Sequence, residues 1–188
     1  PRTRGRLEIL LPAGLRPVKD PLLAIDMAQR LHEARIPVRL RILGAPLERP
    51  LATHVRDAAM ARSYVELGRR PRVAMGAAYL RSHVLWNTSL HEGGSNAVLE
   101  GLAHGCHAWV RDTPGNRELH RETGDPITLF EPEDHAALVA FHRAALAETD
   151  AQRAHRWRRT MAWLTAHHDP EQERGELVAA YDHALATA

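Results

Sequence analysis

The sequence predicts an α/β fold, a doubly wound parallel sheet with helices on both faces, followed by a helical tail. Short apolar runs alternate with helix-patterned stretches from Leu7 to Phe130, as parallel strands joined by helical crossovers do. Caps and breakers stand at the junctions between them. After Glu133 the alternation ends and only helical periodicity remains.

Leu7 to Leu11 reads as a buried strand running into the Pro12-Ala13-Gly14 loop. Asp20-Pro21 supplies a helix cap followed by Pro at the first helical position. Leu22, Leu23, Ile25, Met27 and Leu31 are its expected apolar face, and the helix stops before Pro37. Val38 to Leu43 is the second strand, closed by Gly44. A helix over Leu51 to Arg62 leads to a short strand, Ser63 to Leu67, that ends at Gly68. Pro71 to Leu80 is a short helix with Val73, Ala77 and Leu80 on one side. The strand His83 to Trp86, the helix Ser95 to His104 and the strands Ala108 to Val110 and Ile127 to Phe130 complete the sheet. The tail is expected as helices over Asp134 to Glu148, Ala151 to Ala166 and Glu171 to Ala186. The expected division is a Rossmann-like domain over residues 1–148 and a helical tail over 149–188 packed on it.

Composition narrows the function. A chain of 188 residues suits one domain with a real core, and 44% hydrophobic with 26% charged residues is ordinary globular usage. The longest apolar runs fall far short of a membrane span, which predicts a soluble domain. Cys106 is the one cysteine, so no disulfide framework forms and a cytoplasmic, reducing setting is expected. The 13 histidines lack ligand spacing, and no metal site is expected. Net charge is +2 with acids and bases interspersed, not the concentrated basic face of a nucleic-acid binder. Pro1 is not an initiator Met, and the basic Arg2 to Arg6 run has no signal-peptide pattern, so a piece of a longer protein is expected. Of 25 Lys and Arg residues only Lys19 is a lysine, and Asn occurs only at Asn87, Asn96 and Asn116. All four fall in or directly beside expected strand-end loops.

In an open α/β sheet, ligands bind beyond the carboxyl ends of the strands. Those loops are Pro12 to Lys19, Gly44 to Pro46, Gly68 to Arg70, Asn87 to Ser95 and Arg111 to Asn116. The densest is the stretch from Asn87 to Glu100, NTSLHEGGSNAVLE. Gly93 and Gly94 let backbone approach a ligand, and the helix from Ser95, with Asn96 next, offers free N–H groups to a phosphate or diphosphate. Glu92 precedes that helix and Glu100 lies in its second turn. Carboxylates beside a phosphate are costly unless neutral hydroxyls bond them, and a sugar and a ribose supply those. Across the crevice, Gly14-Leu15-Arg16-Pro17-Val18-Lys19 brings two cations suited to stabilising a diphosphate leaving group.

Here the sequence resembles a known family. Glu92 and Glu100 form the E-x7-E pattern of the C-terminal, donor-binding domains of retaining GT-B glycosyltransferases. Gly14 to Pro21 looks like their phosphate-binding loop, and Asp112-Thr-Pro-Gly-Asn116 resembles the loop that follows the glutamate helix. The likeness extends from about Leu7 to about Leu146. It implies that Arg16 and Lys19 contact the diphosphate, that Glu92 holds a sugar hydroxyl and that Glu100 holds the ribose. Gly93, Gly94, Ser95 and Asn96 would bind sugar and phosphates through the backbone. It further implies a nucleotide-diphosphate sugar as donor, no required cofactor or metal, and an N-terminal acceptor domain outside this chain. In two places this chain departs from the family: Leu15 separates Gly14 from Arg16, and His107 stands where the family favours Pro.

Other readings compete. Gly93 to Ala97 is one residue away from a G-x-S-x-G elbow, but Ser95 comes too long after its strand for a hydrolase nucleophile. No G-x-G-x-x-G follows the first strand, which disfavours a nicotinamide cofactor. Arg153, Arg156, Arg158 and Arg159 with Trp157 and Trp163 suit a solvated helix packed on the domain better than a peripheral membrane contact. A non-catalytic nucleotide-sugar-binding or assembly module is the alternative to a transferase.

Overall fold

A computed structural model describes residues 5–124, 126–168 and 174. The tail helix expected from Glu171 lies, Arg174 aside, outside the described residues, as do residues 1–4 of the basic run. Six strands form one sheet: β1 (Leu7–Leu11), β2 (Val38–Leu43), β3 (Val65–Gly68), β4 (Val84–Asn87), β5 (His107–Arg111) and β6 (Ile127–Phe130). Their order is β3-β2-β1-β4-β5-β6 and every pairing is parallel. The chain winds outward from β1 in one direction, then restarts at β4 and winds in the other. The switch point lies between β1 and β4, where a doubly wound sheet opens its crevice.

The helices are α1 (Pro21–Glu33), α2 (Arg49–Met60), α3 (Met75–Arg81), α4 (Asn96–Ala103), α5 (Pro114–Thr123), α6 (His135–Ala147) and α7 (Asp150–His167). Two cores, one on each sheet face, account for the strand pattern. Ile9, Ile42, Trp86 and Trp109 meet α1, α2 and α6, whereas Leu10, Leu85 and Val110 meet α3, α4 and α7. A strand covered on both sides must be apolar at nearly every position, and β1 is buried from end to end.

Asp20 caps α1 as expected: its carboxylate accepts from Leu23 N at 3.3 Å, with Pro21 at the first position. The buried face of that helix is Ala24, Ile25, Met27, Ala28 and Leu31, while Leu22 is exposed. A run of i, i+3 and i+4 contacts passes through the two alanines and leaves Leu22 outside it. The expected apolar side of the Pro71 helix is its exposed side, with Val73 95% accessible and Leu80 60%. A 3-10 turn over Arg72–Ala74 resets the phase, so α3 starts at Met75 and buries Tyr79. α5 stands where only a loop was expected.

The tail is tied down by specific bonds. Arg156 donates to both carboxylate oxygens of Glu148 at 2.9 and 3.1 Å, and to the carbonyls of Cys106 and Gly105. Trp157 Nε1 donates to Ala103 O at 2.8 Å, and Trp163 packs against the second core. Much of the basic, aromatic face of α7 is thus spent on the protein itself.

Candidate functional site

The loops after β1 and β4 meet over the switch point. Thr88, fully buried, donates through its hydroxyl to Lys19 O at 2.7 Å, and Leu90 N donates to Val18 O at 2.8 Å. Asp20, in the left-handed region at φ 43°, accepts from Arg111 at 3.0 Å. Two bonds from the loop after β4 and one from Arg111 of β5 therefore hold the loop around Lys19 without using its ammonium group.

The ammonium donates instead to Glu92 Oε1. The same oxygen accepts from Ser89 Oγ at 2.7 Å and Asn87 Nδ2 at 3.3 Å. Among the described residues no hydrogen bond reaches Oε2. Burial alone would raise the Glu92 pKa, but the bonds from Lys19, Ser89 and Asn87 and the Lys19 charge outweigh it and hold it below the usual carboxylate range. Glu92 is an ionised acceptor with one oxygen anchored and the other available.

Asn87 organises the turn. Its Oδ1 accepts from Ser89 N at 3.0 Å, while its Nδ2 also donates to Ser95 Oγ at 3.1 Å. Ser95 precedes α4, but its side chain makes no capping bond to the helix. The first-turn N–H groups of α4 are left without a side-chain cap, facing the crevice as the strand–loop–helix geometry directs.

From this point the crevice runs past Pro12, Ala13 and Ala97 to a second, more open stretch. Gly14, Asn96 and Glu100 line it on the way to Arg70, Arg72 and Tyr79. Glu100 Oε2 accepts from Tyr79 Oη at 2.9 Å, and Arg72 stands 3.5 Å from Oε1. Burial, then the bond to Glu100, push the Tyr79 pKa up, so Tyr79 stays a donor across the physiological range. The two glutamates thus mark two ends of one crevice.

The glycines divide into two kinds. A Cβ on Gly44 would fall 1.8 Å from Ala13 O, and one on Gly115 would fall 1.9 Å from Gly93 O. Those two are required by close backbone approach. Gly93 and Gly94 are different: a Cβ on either meets nothing within 4 Å, and neither has positive φ. Nothing in the chain's own packing demands that they be bare.

Six of the residues selected in the sequence line the crevice, whereas Arg16, Gly93 and Gly94 are exposed and line neither stretch. Lys19, Glu92 and Ser95 line its inner end, and Gly14, Asn96 and Glu100 its outer end. Arg16 is exposed, and among the described residues its guanidinium enters no ion pair. Asn116, grouped with the loop residues by its rarity, is buried in the first turn of α5 and donates to Arg111 O at 2.8 Å, a structural bond. Tyr79, Ser89, Arg70 and Arg72 were not singled out. Ser89 lies three residues before Glu92, a signal available in the sequence; Tyr79 had none. Among the described residues no cluster of His, Cys, Asp or Glu suits a metal ion, and no helix is long and apolar enough to cross a membrane.

Comparison with known proteins supplies the family. Residues 3–161 match the family described as glycosyl transferases group 1. The chain is 35% identical over 124 residues to glycosyltransferase 1 domain-containing protein 1 of Xenopus tropicalis, covering 64% of this chain and 36% of that one. In three dimensions it is similar to an α,α-trehalose-phosphate synthase (UDP-forming) from Burkholderia vietnamiensis. The TM-score is 0.77 at 19% identity, over 94% of this chain and 45% of that one. It is also similar to Anabaena HepE in complex with UDP and glucose, with TM-score 0.76 at 17% identity, over 95% and 48% of the two chains. The chain spans less than half the length of each of these relatives.

Proposed function

The chain belongs to the glycosyl transferases group 1 family, and on that premise we propose that it is the donor-binding half of a retaining GT-B glycosyltransferase. In this reading the crevice holds a nucleotide-diphosphate sugar, with the sugar at Glu92 and the nucleoside at Glu100. The observation that carries it is the state of Glu92. Three donors on one oxygen fix the carboxylate and keep it ionised, and the second oxygen remains to accept from a neutral hydroxyl. A carboxylate so arranged repels a phosphate and suits a sugar hydroxyl.

The diphosphate then lies between the glutamates, over Gly93 and Gly94 and against the uncapped start of α4. Lys19 has two further N–H donors beyond the one given to Glu92, and these stabilise the departing diphosphate together with Arg16, which is free to swing inward. The positive charge is supplied by side chains and backbone, so no metal or cofactor is required. Acceptor and sugar-transfer machinery on the other side would come from an N-terminal domain outside this chain, and the proposed compartment is the cytoplasm. The test has two stages: calorimetric titration of the chain with nucleoside diphosphates and nucleotide sugars, then an assay of the full-length protein with the product's anomeric configuration read by NMR. Retention of configuration is expected. An inverted product would overturn the retaining reading, and binding without any transfer would favour a non-catalytic nucleotide-sugar module.

A further inference from the structure

The outer end of the crevice carries information about the base, and the inference rests on the donor-site reading above. Beyond Glu100 the lining residues are Leu43, Met75, Tyr79, Arg70 and Arg72. Leu43 and Met75 offer apolar contact to a flat ring. Tyr79 has already given its only proton to Glu100. Asn96 lines the same stretch from the first position of α4, where the proposed function puts the diphosphate; the other two polar side chains are arginines, which donate only and cannot accept. Neither is committed elsewhere: Arg72 has the 3.5 Å approach to Glu100, at the limit of a bond and 84% exposed, and Arg70 enters no ion pair among the described residues. Glu100 is the one carboxylate lining this end, and the proposed function gives it to the ribose.

A wall of donors distinguishes bases by what their edges present. Uracil and thymine present an exocyclic oxygen, and guanine presents O6 beside N7, all acceptors. Cytosine and adenine present an exocyclic amine at the equivalent position, a donor that a guanidinium cannot satisfy. We propose that Arg70 and Arg72 select donors whose base carries an exocyclic oxygen on this edge, uridine, thymidine or guanosine diphosphate sugars, against cytidine and adenosine ones.

The experiment is calorimetry of the 188-residue chain with UDP, GDP, CDP and ADP, repeated on the Arg70→Ala/Arg72→Ala double variant. Both side chains are exposed, so the variant is expected to keep the wild-type melting temperature. The wild type should bind UDP or GDP about tenfold or more tighter than CDP and ADP, and the double variant should lose most of that difference. Equal affinity for all four in the wild type would overturn the inference and leave the donor site standing. A uniform loss across all four in the variant would also overturn it, assigning the arginines to the diphosphate. Failure of all four to bind the wild type would instead overturn the donor-site reading itself.

Discussion

Glu92 and its neighbouring glycines show how a few atoms separate what the fold needs from what the site needs. Lys19, Ser89 and Asn87 all bond one Glu92 oxygen. Neither Gly93 nor Gly94 has a positive φ, and each has open space where a side chain would stand. If their bareness serves a ligand, Gly93→Ala should change folding stability by less than about 0.5 kcal/mol, as surface changes do. It should nonetheless weaken nucleoside diphosphate binding severalfold in calorimetry. An alanine that binds as tightly as glycine would show that the bare backbone serves no ligand. At this scale the sequence was legible where the chemistry is local, since residues 87–100 carry Glu92, Gly93, Gly94 and Glu100 in one stretch. It was not legible where a partner comes from another element. Tyr79 reaches Glu100 from 21 residues away, and spacing along the chain carries no trace of that bond.

Among the elements, α5 is the instructive one. Pro114-Gly115 was expected within a strand-end loop, yet Thr113 caps a helix there by accepting from Asn116 N, with Pro114 at its first position. Asn116 is the one buried residue of this helix, so the sequence shows no apolar period over Pro114–Thr123. Its start nonetheless supports the site, since Gly115 lies against the carbonyls of Glu92 and Gly93. Gly115→Ala should therefore cost about 1–3 kcal/mol of stability as the two backbones are forced apart. Ligand affinity should fall with it, which separates this glycine from Gly93. Unchanged urea midpoint and unchanged affinity would contradict the contact. The phase of α3 departs from the sequence pattern for a related reason: the 3-10 turn before it rotates the helix, and a helical period drawn from Pro71 places Leu80 where Tyr79 belongs.

On the scale of the whole molecule, the parallel sheet with helices on both faces followed from the alternation of apolar runs, while the joins between layers depended on buried polar groups. His142 is the clearest case. It is completely buried under the sheet, accepts from Trp86 Nε1 at 2.8 Å through Nε2, and donates through Nδ1 to Leu138 O at 2.7 Å. The indole can only donate, so the ring is neutral with its proton on Nδ1. Burial pushes its pKa down to about 3, against about 6.5 for an exposed imidazole. Between those values the unfolded chain binds a proton that the folded chain refuses. The contribution is full above about pH 6.5 and is lost progressively as pH falls toward 3. Thermal melts should show stability declining below pH 6.5, with a shallower decline in His142→Gln. A decline of equal slope in that variant would assign the acid sensitivity to other groups.

Two pairs of titrations test most directly whether one crevice holds a donor with the sugar at Glu92 and the nucleoside at Glu100. Glu100→Gln and Glu92→Gln are each titrated with the nucleoside diphosphate preferred by the wild type and with the corresponding nucleotide sugar. If Glu100 holds the ribose, Glu100→Gln weakens both ligands by about 1–2 kcal/mol, the worth of a charge-assisted hydrogen bond. If Glu92 holds the sugar, Glu92→Gln leaves the nucleoside diphosphate nearly unchanged and removes the extra affinity that the sugar confers. Equal effects of both substitutions on both ligands would contradict the division of the crevice and leave the two glutamates with no separate roles.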